Sequence, residues 1–195
     1  MAESQERVPM FGAPQPDAVT ETRDENGLTL SYRWFSWIHL FLLMFCFVWD
    51  GFLFAWYSKA LARGAAASDM VIWFPMLHVA VGIGLSYYTL AGLLNRTRIV
   101  VFGGELTVRH GPVPWLGNFT VSTADFLQLY REETIYTSSR GGRSASYHLS
   151  AVTQGNRKLR LVSNVPEADI ALYLEQTIEE VLGLKDSKVA GEMPK

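Results

Sequence analysis

Trp34–Tyr57, WFSWIHLFLLMFCFVWDGFLFAWY, and Met70–Leu94, MVIWFPMLHVAVGIGLSYYTLAGLL, decide the fold. A helix rises about 1.5 Å per residue, so about 20 apolar residues cross the hydrocarbon of a bilayer, and each run is that long. Ser58–Asp69, SKALARGAAASD, joins them, and so short a connection makes the helices antiparallel neighbours. Residues 34–94 are therefore predicted to be a transmembrane hairpin, with helices over 34–57 and 70–94. Aromatic residues at both ends of each run fit the interfacial belts of membrane helices. Pro75 falls in the first turns of the second run, where a missing donor costs little.

The rest of the chain is ordinary by comparison. The whole chain has 195 residues, 49% of them hydrophobic, yet its mean hydropathy is only +0.10, so the apolar residues are gathered into blocks. A net charge of −2 suggests no nucleic-acid partner. Cys46 is the one cysteine, which rules out an internal disulfide. His39, His78, His110 and His148 stand at no spacing typical of zinc, so no metal site is predicted.

Residues 1–33 carry Pro9, Gly12, Pro14 and Pro16 and an excess of acidic side chains. They lack the apolar core of a secretory signal and are expected to form a loose polar tail. Arg23 and Arg33 precede the first helix and Arg96, Arg98 and Arg109 follow the second, against Lys59 and Arg63 between them. Positive residues favour the cytoplasmic side, which predicts a multi-pass protein with both termini in the cytoplasm.

Two residues in the hairpin are costly in hydrocarbon. Asp50 lies nine residues before Lys59 and His78 nine after Asp69. Both then sit about 13 Å from the loop end, at one depth, and can face each other as an intramembrane polar pair. A helix–helix clasp, contact with a neighbouring subunit, a proton relay, and ligation of a haem or chlorophyll-type metal by His39 or His78 all remain open; no cofactor is otherwise predicted. By the same register His39 falls opposite Tyr88 or Thr89. Ala80-x-x-x-Gly84 and Gly82-x-x-x-Ser86 have close-packing spacing. Their partner is either the first helix or another subunit, which makes His39, Gly82, Gly84 and Ser86 candidate contacts.

After the second run the period changes to alternating. TRIVVF (97–102) and ELTVRH (105–110) flank Gly103-Gly104, a hairpin signal. FTVS (119–122), ADFLQLYREETIY (124–136), YHLSAVT (147–153) and KLRLVS (158–163) complete about six antiparallel strands, in keeping with their alternation. PVPWLGN (112–118) reads as a turn. A helix starts near Pro166-Glu167 and ends at Gly183, with Ile170, Tyr173, Leu174, Ile178, Val181 and Leu182 as its apolar stripe. This order, strands and then one capping helix over 95–184, is that of an α+β PH-like domain; residues 185–195 form a polar tail.

The stretch FPMLHVAVGIGLSYYTLAGLLNRTRIVVFGGELTVRHGPVPWLGN, above all LNRTRI and GGELTVRHGPVPWLGN, resembles a family of small uncharacterised bacterial membrane proteins. In these, two membrane helices precede a PH-like domain. The resemblance implies that architecture over roughly residues 34 to 184 and a bacterial inner membrane, and it transfers no site.

Residues 95–164 hold nine basic residues against four acidic ones, whereas 165–184 hold acids alone. Arg96, Arg98, Arg140, Arg143, Arg157, Lys158 and Arg160 are candidate contacts to anionic headgroups, each worth up to about 1 kcal/mol near such a surface. Solvation of strand edges accounts for the same charges. No nucleophile elbow, P-loop or zinc-helix motif is present, and no catalytic residue is assigned. The sequence therefore points to a non-enzymatic accessory or scaffolding subunit of a larger membrane complex, respiratory or photosynthetic, with other membrane subunits as partners. A membrane-anchored sensor of anionic lipid or peptide is the alternative.

Overall fold

A computed structural model describes residues 14–25, 27–66, 69–137, 143–155 and 157–184. The elements are β1 (Val19–Asp24), β2 (Gly27–Arg33), α1 (Trp37–Ala62), α2 (Met70–Trp73), α3 (Met76–Leu94), β3 (Arg96–Phe102), β4 (Glu105–Gly111), β5 (Phe119–Ser122), β6 (Phe126–Thr137), β7 (Arg143–Thr153), β8 (Lys158–Val165) and α4 (Ala168–Leu182). The chain divides into two compact units. One is helical and comprises Arg33–Arg96 with Gly111–Trp115; the other contains the sheets and α4.

In the helical unit, α1 and the run from α2 through α3 are both long and apolar enough to cross a membrane. The side chains of α1 that are buried, His39, Cys46, Leu53 and Ala60, recur every seven residues and face α3, where Gly82, Thr89, Ala91 and Gly92 are buried. A seven-residue seam is what two helices crossing at a shallow angle require. Small residues on α3 let the axes approach. A Cβ on Gly82 would lie 2.8 Å from the Asp50 carboxylate and 3.2 Å from the Trp49 ring.

The second run is not one helix. It breaks at Phe74-Pro75, between α2 and α3. Proline has no N–H to give the carbonyl four residues back, that of Val71. Here α1 supplies the donors: Trp56 Nε1 reaches the Val71 carbonyl at 3.2 Å, and the Tyr57 hydroxyl reaches that of Ile72 at 3.0 Å.

The sheet unit holds a five-stranded sheet in the order β1-β2-β3-β4-β5 and a three-stranded sheet β6-β7-β8. Alternation sets its interior: Leu28, Leu30 and Tyr32 on β2, Ile99 and Val101 on β3, and Leu106 and Val108 on β4 are all buried. Eight strands stand where about six are expected. The extra pair comes from the segment expected to be a loose tail, a correction whose physical basis is local. Leu28, Leu30 and Tyr32 alternate with polar residues, and Asp24 faces Gly27 across a tight turn. Gly27 has φ +90° there, and a Cβ would fall 2.2 Å from the Val101 carbonyl oxygen, so only glycine fits.

Helix α4 packs on the three-stranded sheet and closes as predicted at Gly183 (φ +65°). The Leu184 and Gly183 N–H groups return to the carbonyls of Glu179 and Glu180, the two bonds of a Schellman cap. Its apolar stripe is shifted from the expected one. Val181 is exposed, while Glu175 and Glu179 are buried with Ile170, Ala171, Leu174 and Ile178.

Candidate functional site

In the helical unit Asp50 and His78 have different partners. Asp50 accepts a hydrogen bond from the Ser86 hydroxyl at 3.0 Å. His78 meets aromatic rings. Its ring stacks on Trp49 at 5.7 Å and tilts against Phe74 at 6.0 Å, and its carbonyl accepts the Trp49 indole N–H at 3.2 Å. The expected Asp50–His78 pair does not form. The counted register holds, since Trp49 meets His78 and Tyr57 meets Ile72, but successive helix residues point about 100° apart, and it is Trp49, not Asp50, that is turned to His78. Asp50 therefore meets Gly82 and Ser86.

His39 is buried between the helices beside Tyr88, with ring centroids 5.6 Å apart, as the register predicts. It is also wedged against Gly92, where a Cβ would lie 2.1 Å from Nε2. That nitrogen has no room for a metal or a haem iron without displacing the α3 backbone. Thr89 is taken by Cys46, Sγ to Oγ1 3.8 Å. The two small-residue pairs also separate. Gly82 and Ser86 face α1, whereas Gly84 is exposed with nothing within 4 Å of a Cβ.

Asp50 is exposed although it sits near the midpoint of α1. A carboxylate at that depth costs about 2.5–3.5 kcal/mol on insertion scales, and one hydroxyl offsets only part of it. Phe47 and Phe54 flank it on α1, 73% and 76% exposed, and Ile83 and Leu90 project beside Ser86 on α3. One ionisable group thus stands in the middle of an apolar wall.

A second cluster closes the end of the helical unit. The Asn95 side chain grips the backbone of Val113 twice, Oδ1 accepting its N–H at 2.7 Å and Nδ2 donating to its carbonyl at 3.0 Å. That clamp brings Trp115 edge-on to Trp34 at 5.3 Å and parallel to Tyr87 at 6.1 Å, while the Tyr87 hydroxyl donates to the Pro114 carbonyl. Of the segment that reads as a simple turn, residues 112–115 are part of the helical unit.

The candidate bases are dispersed. Arg96 and Arg98 are exposed on β3; Arg157, Lys158 and Arg160 are exposed at β8. Lys158 and Arg160 gather around Glu132, at 3.9 and 3.3 Å, and Lys158 sits 5.0 Å above the Tyr130 ring. Arg143 begins β7, and Arg140 lies outside the described residues.

Sequence reasoning missed Arg131 and Glu175. They form an ion pair of 2.7 Å with side chains 4% and 0% exposed, and Glu179 accepts the Leu129 N–H at 2.9 Å just past a β-bulge. The signal was a base inside an apolar strand and acids at the helical period of α4. A second network ties β1 to α4: Arg23 bridges Glu21 at 2.5 Å and Glu180 at 3.1 Å, and the Tyr173 hydroxyl donates to Glu21. Burial and that carboxylate push the Tyr173 hydroxyl up to about 12. His110 meets Thr97 at 3.0 Å and His148 accepts the Asn164 N–H at 3.2 Å. Desolvation holds both imidazoles below the ordinary histidine value, helped at His148 by Arg160.

Among the described residues, no group of three or more His, Cys, Asp or Glu is placed to hold a metal ion. No family model matches the chain, and no curated protein sequence matches it.

Proposed function

We propose that this chain is a non-enzymatic, multi-pass accessory subunit of a larger complex in a bacterial inner membrane, a respiratory or photosynthetic one being the kind of host it suits. The observation that carries the reading is Asp50, an exposed carboxylate near the middle of a helix long enough to span a bilayer. Such a group is stable in a membrane when protein covers it. The helical pair is then one docking surface and a PH-like sheet unit the other, with both termini cytoplasmic by the distribution of arginine. The likeness of LNRTRI and GGELTVRHGPVPWLGN to small bacterial membrane proteins supports the same setting. Extraction of native membranes with mild detergent tests it. The chain is expected to migrate in an assembly far larger than its own 21.9 kDa, and a lone monomer overturns the reading.

A second reading, a membrane-anchored sensor of anionic lipid, is favoured by the exposed Arg157, Lys158 and Arg160 on one strand end. Its test uses the full chain, because β1 and β2 precede the helices and belong to the sheets. Amide exchange of Lys158–Val165 is expected to slow in vesicles containing anionic lipid and to recover in high salt. Equal exchange in neutral and anionic vesicles overturns it.

A further inference from the structure

We infer that Asp50 seats a membrane helix of another protein, one that carries an arginine or lysine at the middle of its own span. The inference rests on the membrane-subunit reading and adds the chemistry of the partner. Asp50 lies near the centre of α1, exposed, with the Ser86 hydroxyl on Oδ2 at 3.0 Å. Phe47, Phe54, Ile83 and Leu90 surround it with exposed apolar side chains. An apolar rim around one carboxylate is the arrangement of an interface centre, and its complement is a cation at the same depth.

This chain does not supply that cation. No lysine or arginine occurs between Arg33 and Lys59, or between Asp69 and Arg96. His78 packs against Trp49 and Phe74, and His39 is wedged at Gly92. A second copy in the same orientation would bring Asp50 against Asp50, two like charges in a medium of low dielectric. The partner is therefore a different chain, and a guanidinium or ammonium on it would bind the carboxylate from outside the pair.

The test reconstitutes the full chain in phosphatidylcholine vesicles with synthetic transmembrane peptides of leucine and alanine bearing Arg, Lys, Glu or Leu at the centre. Association is read by energy transfer. The Arg and Lys peptides are expected to half-saturate at a peptide-to-lipid ratio at least about tenfold lower than the Leu peptide, the order of one good charge pair. Asp50→Leu is expected to erase that preference, and Asp50→Arg to transfer it to the Glu peptide. Far-UV circular dichroism checks that each variant keeps its helices; the Asp50→Arg swap keeps the test decisive if Asp50→Leu misfolds. Equal association of the Arg and Leu peptides overturns the inference, as does energy transfer between copies of the chain that disappears with Asp50→Leu. In native membranes the two readings part company. An assembly that survives Asp50→Leu sinks this inference and leaves the subunit reading intact, whereas a wild-type monomer sinks that reading itself.

Discussion

The two units treat buried polarity in opposite ways. The sheet unit encloses a full ion pair, Arg131 with Glu175, and answers it internally at 2.7 Å. The helical unit keeps its one mid-span carboxylate, Asp50, at the surface with a single hydroxyl for company. Inside the helical seam it uses thin contacts instead, namely Gly82, Gly92, Cys46 and Thr89, and aromatic donors turned onto backbone carbonyls. One unit holds its carboxylate inside against a cation, and the other holds one at its surface against a hydroxyl.

The sharpest way to break this contrast is to remove one half of the sheet unit's pair. Arg131→Leu leaves Glu175 buried without its cation and is expected to cost about 3–5 kcal/mol, read as a lower urea midpoint for the full chain in detergent. The double variant Arg131→Leu with Glu175→Leu is expected to recover most of that loss. If the single variant is as stable as the wild type, the pair is not what organises this interior.

Next in size is the helical seam. Gly92→Ala drives a Cβ to 2.1 Å from His39 Nε2, an overlap that costs about 1–3 kcal/mol unless the helices part. Steric trapping of the hairpin is expected to show the weakening, and His39→Ala is expected to suppress it in the double variant. Trp56→Phe is milder. It removes the donor to the Val71 carbonyl while keeping the ring, at about 1 kcal/mol by the same measurement.

The smallest expected effect is a dependence on pH confined to the sheet unit. His148 is held below its ordinary value by desolvation and by Arg160, so the unfolded chain takes up the proton first as pH falls. Stability is then fully present at neutral pH and declines from about pH 6.5 downward. Denaturant midpoints between pH 7.5 and 5 are expected to fall for the wild type and to fall less steeply in His148→Gln. His110 contributes in the same direction, so the slope is reduced and not abolished.

Much of this architecture is legible in the residues, where the signal is local. The two apolar runs, the Gly103-Gly104 turn, the strands of β6 to β8 and the Gly183 cap are each written within a few residues. What escapes the sequence depends on register or on distant partners. The hairpin β1–β2 is short and follows a proline-rich, acidic segment, so composition hides an alternation at Leu28, Leu30 and Tyr32. Depth in the hairpin is readable by counting but facing is not: Trp49 meets His78, and the neighbouring Asp50 turns to Ser86. Arg131 and Glu175 are 44 residues apart, and Asn95 and Val113 are 18 apart. Neither partner of those pairs announces the other.

The break at Pro75 carries one more consequence, for biogenesis. The carbonyls of Val71 and Ile72 find their donors on Trp56 and Tyr57 of the preceding helix. A second run without the first beside it would lack both donors and would have to turn these carbonyls to water at its end. Were the two runs inserted in a membrane, entering together would be the more direct way to this arrangement.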